Sequence, residues 1–232
     1  MDVDFFLRVR VGFIRQLYET SAAAYRERKR LIEAGQAPYE PPYSEDGEPP
    51  FLVEWEEADD SLHVLGYACL SMLSDTMKVF LSTWQREARV RDDPSLQKIF
   101  QKRGFVEGYR ALFEKSLGIR FADSEVDLRL LEQVVMARNR IQHQEYLGSN
   151  RPSHSQSDLK RFHHPFFVDK HEHSVLVREK KGESIWLMAP RVSVTGEQLL
   201  SVLKEVERFS TWMDTAMQKV SERRARRLHE NP

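Results

Sequence analysis

Apolar residues recurring three and four positions apart organise most of this chain, which is the signature of amphipathic helix. Residues 2–34 keep that spacing through FFLRVRVGFIRQLYETSAAAYRERKRLIEA, and Gly35 with the proline-rich stretch GQAPYEPPYSEDGEPP ends it. A second helix starts near Phe51; its segment LHVLGYACLSMLSDTMKVFLSTW is apolar on most sides, as the central helix of a core is. A third helical stretch covers Pro94 to Leu117, with Gly104 and Gly108 as kink positions and Gly118 as its stop. A fourth begins near Asp123 or Ser124.

After Tyr146 the period is lost. GSNRPSHSQSDLKRFHHPFF, broken by Pro152 and Pro165, reads as a long ordered loop or lid. HSVLVREKKGESIWLMAP reads as two short strands about a Lys-Gly turn, with Val192 to Val194 as a third, and a last helix runs from a Thr195 cap to RRARR. The expected fold is mainly α: an up-and-down helical bundle forming one domain over 1–232, with a loop and a β-hairpin or three-stranded insertion at 147–195 before the C-terminal helix.

Composition narrows the function classes only slightly. With 35 basic and 36 acidic residues the formal net charge is −1, so no global charge advertises a polyanion partner and basic patches must be sought locally. The single cysteine, Cys69, allows no intramolecular disulfide and sits in an apolar run, which suits a reducing compartment. The acidic start MDVDFF does not resemble a secretory signal, and no apolar run looks long enough to span a bilayer. A cytoplasmic protein without membrane partners is expected.

Candidate chemistry concentrates in the fourth helix, VVMARNRIQHQEY at 134–146. On a wheel of ~100° per residue, Leu130, Leu131, Val134, Val135, Ala137 and Ile141 form one apolar arc, and Arg138 falls inside it. An arginine there must snorkel, pair with an acid or face another chain. Asp75, within SDTMKV of the apolar second helix, is a candidate structural partner. Asn139 and His143 lie four residues apart on one flank, where both can meet one ligand.

Arg138, Asn139 and His143, reading R-N-R-I-Q-H, match R-N-x-x-x-H, and at these residues the chain resembles the HEPN superfamily. The resemblance implies a helical bundle, often a homodimer with two motifs facing across its axis. It also implies a metal-independent endoribonuclease, of the kind found among toxins and defence effectors, with an antitoxin or regulatory partner as a further expectation. Noncatalytic members imply the alternative, a module binding a nucleotide, RNA or protein. One departure concerns toxins controlled by a nucleotidyltransferase antitoxin, which carry Tyr two residues after the histidine: Glu145 stands there, and Tyr146 follows.

The side chains make the chemistry intelligible. RNA carries its own 2′-OH nucleophile; a histidine can take that proton or protonate the leaving 5′-oxygen, and an arginine can stabilise charge on the phosphate. Catalysis on this scheme would use Arg138, Asn139 and His143 with no metal and no cofactor. The bland reading makes His143 a helix-end cation and Arg138 half of an ion pair.

Arg151, His154, Lys160 and Arg161 form an expected basic rim holding RNA substrate. A competing reading takes His154, His163, His164, His171 and His173, with His171 and His173 on one strand face, as metal ligands beside Asp158, Asp169 or Glu172. The spacing matches no established metal motif. AYRERKR in the first helix reads as a solvated face, and RRARR at 223–227 as a tail able to touch phosphate.

Overall fold

The computed structural model describes residues 1–42, 49–143, 151–180 and 183–230. Helices α1 (Val3–Glu33), α2 (Leu52–Glu87), α3 (Gln97–Arg103), α4 (Phe105–Leu117) and α5 (Leu128–Gln142) precede two short helices, α6 (Gln156–Arg161) and α7 (Lys170–Leu176). Strands β1 (Val177–Lys180) and β2 (Glu183–Trp186) pair antiparallel, Val177 opposite Trp186, before the long α8 (Gly196–Glu230). The protein is a helical bundle with a small insertion.

Several boundaries have plain causes. Gly104 at φ 86° breaks the third helical stretch into α3 and α4, and Gly118 at φ 64° terminates α4, in a conformation only glycine adopts without strain. The fourth helix begins later than its pattern suggests, because Phe121–Asp123 forms a 3₁₀ turn with Phe121 buried. Asp127 then caps α5, its carboxylate accepting from Leu130 N at 3.0 Å. Thr195 and Gln198 cap α8 reciprocally, Gln198 N donating to Thr195 Oγ1 and Thr195 N to Gln198 Oε1.

The segment expected to be loop and strand is more helical than its composition suggests. α6 starts with a capping box in which Ser155 Oγ accepts from Asp158 N and the Asp158 carboxylate accepts from Ser155 N. His171 and His173 lie on helix α7, not on a strand, because the Asp169 carboxylate accepts from both His171 N and Glu172 N and starts a helical turn. Val192–Val194 forms no third strand. Its backbone is pinned by bonds from Val192 N to Pro152 O and from Ser193 N to Phe167 O.

Residues group into two compact units. The first comprises Met1–Phe13, Ser71–Met136 and Leu200–Pro232. Its core joins Leu7 and Val11 to Leu73, Met77 and Leu81, to Leu112 and Phe113 of α4, and to the α8 stripe Val202, Val206, Phe209, Met213 and Met217. That stripe keeps the three-and-four spacing of a helix burying one face. The buried Glu205 is served from two sides, accepting from Asp127 N and from Arg208 Nη1.

The second unit comprises Ile14–Leu70 and Ala137–Leu199. Ile14, Tyr18, Tyr67, Leu70, Ala137, Leu159, Phe162, Phe167, Val192 and Val194 are buried in it. Gly66 lets α2 approach the 192–194 segment, since a Cβ there would sit 2.5 Å from Val194 O. Tyr67 donates to Val192 O beside it.

One correction concerns α2. By length and composition it is apolar enough to cross a membrane, contrary to expectation, but more than half of its apolar window is buried inside the protein. A central core helix passes such a test for that reason.

Candidate functional site

The end of α5 carries the R-N-x-x-x-H residues, all within the second unit. Ala137 is fully buried and anchors this turn, while Arg138 is half-buried and Asn139 and His143 are exposed. His143 N donates to Asn139 O in the continuing helical ladder, which fixes the two side chains one turn apart on one flank. Arg138 Nη1 donates to Asn139 Oδ1 at 3.3 Å, bringing the guanidinium to the exposed amide. Asp75 is an exposed residue of α2 in the first unit, not a buried acid. Glu145 and Tyr146 lie outside the described residues.

The arginine that the motif skips is held by a buried acid. Arg140 donates from Nε to Asp158 Oδ2 at 2.6 Å, and from Nη2 to Ser155 Oγ at 2.7 Å and Asp158 Oδ1 at 3.2 Å. Asp158 is only 5% exposed. Burial alone would push its carboxyl up, but Arg140 and the Ser155 amide offset that and hold it below the usual aspartate range. A two-point, desolvated Arg–carboxylate pair fixes the end of α5 to the start of α6 and so orients the turn carrying Asn139 and His143. Sequence reasoning missed this residue. The SQSD capping-box spacing at 155–158 was legible, but its arginine partner is 18 residues distant.

The expected basic rim divides. Lys160 and Arg161 are exposed, with the Arg161 guanidinium 5.4 Å from the Phe162 ring centre. Arg151 is engaged inside the unit, donating to Asp59 Oδ2 at 2.6 Å and Asp60 Oδ1 at 2.7 Å. His154 is buried, with Nε2 3.0 Å from Phe167 O, and offers no charge to a rim.

Burial holds the His154 imidazole below the ordinary histidine value of 6.5, although the Phe167 carbonyl acts in the other direction. The unfolded chain therefore takes up this proton first as pH falls, so the stability that His154 confers is complete above pH 6.5 and declines below it. Melting temperature is expected to drop between pH 7 and pH 5, and His154→Gln, which keeps a donor without the titration, should flatten that drop. An unchanged pH profile in the variant would remove His154 from the account.

The histidine-rich region gathers no metal centre among the described residues. Two residues apart on a helix, His171 and His173 point in different directions. His173 instead meets His164, ring nitrogens 3.1 Å apart, and lies edge-on to Trp186. Of the nearby acids, Asp158 is paired with Arg140, Asp169 caps α7, and Glu172 accepts from Arg191 N.

Comparison with protein-family models, curated proteins and solved structures finds no match for this chain.

Proposed function

We propose that this protein is a metal-independent endoribonuclease of HEPN type, acting as a homodimer through Arg138, Asn139 and His143. The observation that carries the reading is the exposed Asn139–His143 flank with the Arg138 guanidinium donating to the Asn139 amide. A cation, an amide and an imidazole at one helix end can grip a phosphate and handle a proton together.

In the proposed reaction a motif histidine takes the proton of a ribose 2′-OH, and the freed oxygen attacks the adjacent phosphorus. Arg138 stabilises the charge gathering on the phosphate oxygens while Asn139 orients phosphate or imidazole. The P–O5′ bond breaks, and the leaving oxygen receives a proton from the histidine of the second copy. The products are a 2′,3′-cyclic phosphate and a 5′-hydroxyl. A homodimer supplies base and acid together, since each copy carries one motif histidine. A toxin or defence role, with an antitoxin or regulatory partner, is part of this proposal, as is a cytoplasmic location.

The test is incubation of purified protein with total cellular RNA in excess chelator, beside His143→Ala purified identically, with sedimentation at micromolar concentration. Cleavage by the unmodified dimer alone, ending in 2′,3′-cyclic phosphate, is the expected result. Equal cleavage by both proteins would mean a contaminant, and a clean monomer would remove the paired-motif step. Binding of RNA without cleavage would favour the noncatalytic module.

A further inference from the structure

The two basic runs in the sequence have different fates. In AYRERKR three of the four cations are taken up by acids, Arg28 by Glu57, Lys29 by Asp59 and Arg30 by Glu27, and the fourth, Arg26, lies over the Tyr18 ring. The run at 223–227 instead lies on the ordered helix α8. Arg224 Nη1 donates to Ala88 O, and Arg223 Nη2 to Leu117 O, covering the carbonyl end of α4. Arg223 and Arg226 belong to a different set of neighbours from Arg224, and they line a groove in the first unit.

We propose that this groove, between the C-terminal half of α8 and the turn at 118–123, binds single-stranded nucleic acid, with Trp212 receiving a base and Lys219 and Arg226 contacting phosphates. Trp212, Ala216, Lys219, Arg223 and Arg226 follow one another at intervals of four, three, four and three, so they share one face of α8. Gly118, Arg120 and Asp123 supply the opposite wall. The space measures about 450 Å³, within the range of pockets that take a small ligand such as a nucleotide unit.

Charge distinguishes this groove from the rest of a nearly neutral chain. Arg120, Lys219, Arg223 and Arg226 face it against the carboxylates of Asp123 and Glu222. Asp123 is engaged with Arg120 at 3.0 Å. Lys219 and Arg226 are exposed and have no hydrogen-bond or ion-pair partner among the described residues. Glu222 stands between them, so the local excess is two positive charges, suited to consecutive phosphates of one strand.

The indole favours a polynucleotide over other anions. Trp212 is half-buried and held by the Phe121 edge at 4.9 Å and by Phe209 at 6.2 Å with planes 19° apart. A rigid, partly exposed aromatic beside free cations is the combination that stacks a base and neutralises its backbone without reading sequence. The Thr215 hydroxyl, whose proton goes to Thr211 O, can still accept from a sugar hydroxyl.

The measurement is fluorescence anisotropy of labelled oligouridylate and oligothymidylate about ten nucleotides long, with chelator present and on the His143→Ala chain so that nothing is cut. Lys219→Glu with Arg226→Glu is expected to weaken binding at least about tenfold while the helix signal and melting temperature hold. Lys219→Gln with Arg226→Gln should lower the slope of log affinity against log salt by about 1.4. Trp212→Phe should weaken binding at all salt concentrations without changing that slope. No binding to either oligonucleotide, equal binding by the Glu variants, or oligoglutamate binding as tightly as the oligonucleotides would each overturn the proposal. Its outcome is separable from that of the ribonuclease reading: groove binding without cleavage by the unmodified chain sinks only the latter, and cleavage with no groove effect sinks only the former.

Discussion

Arg140→Ala is expected to destabilise the protein by about 3 kcal/mol, lowering the melting temperature by roughly 6–12 °C. The reason is what it leaves behind. Asp158 has a side chain only 6% exposed, and Arg140 supplies two of its contacts. Removing one partner of such a pair strands a desolvated charge, which costs more than the pair itself contributes. The low end of the usual range applies because the arginine is 35% exposed. Asp158→Asn added to Arg140→Ala should recover part of the loss, because the remaining group is then neutral.

The pH dependence gives this prediction a sign. In the unmodified chain the Asp158 carboxyl is held below its ordinary 3.8, so the stability it contributes is present above that value and is lost as pH falls through the lower folded value. Without Arg140 the largest influence lowering the carboxyl is gone, so burial pushes it up from its value in the unmodified chain. The deficit of the variant should therefore shrink on acidification, as measured by chemical denaturation from pH 7 to pH 4. A deficit independent of pH would mean that lost packing, not a stranded charge, is responsible.

If the proposed ribonuclease function holds, Arg138→Ala, two residues earlier, should do the reverse: RNA cleavage falls about 10²–10³-fold while the melting temperature shifts far less than in Arg140→Ala. A transition-state phosphate carries more charge than the substrate, so in the proposed reaction a guanidinium facing it contributes to rate more than to binding. His143→Ala should lose at least as much, since it removes the proton carrier. Arg138→Lys should restore little, because one ammonium cannot reproduce the planar fork. If Arg138→Ala melts like Arg140→Ala, the tripeptide is a structural clasp throughout and the ribonuclease reading loses its arginine.

Local periodicity made the long helices readable because each buries a continuous stripe, as Val202 through Met217 show. It failed where capping decided the structure. Around His171 and His173 the side-chain alternation resembles a strand, yet two bonds to the Asp169 carboxylate begin a helix. The polar SQSDLKR resembles a loop, but Ser155 and Asp158 close a capping box.

The site followed the same division. The half-buried position of Arg138 was visible on a helical wheel, since it depends on neighbours three and four residues away. The Arg140 partnership and the burial of His154 depend on segments distant in sequence, and periodicity carries no information about either. Trp212 stands far in sequence from the other tryptophans, so no aromatic cluster marks it; its position beside Lys219 and Arg226 follows from their common helical face.

Both compact units are stitched from separated stretches of chain, with consequences for synthesis. The second needs residues 137–199 to complete what 14–70 begin, and the first awaits residues 200–232, which leave the ribosome after both of its other segments. Until then Phe80 and Phe121 lack the α8 ring of Phe209 that they pack against, and the nascent chain presents apolar surface to chaperones and neighbours. Neither unit can be obtained by cutting the gene at a single place, and a premature stop before Val202 should yield an insoluble product rather than a smaller working one.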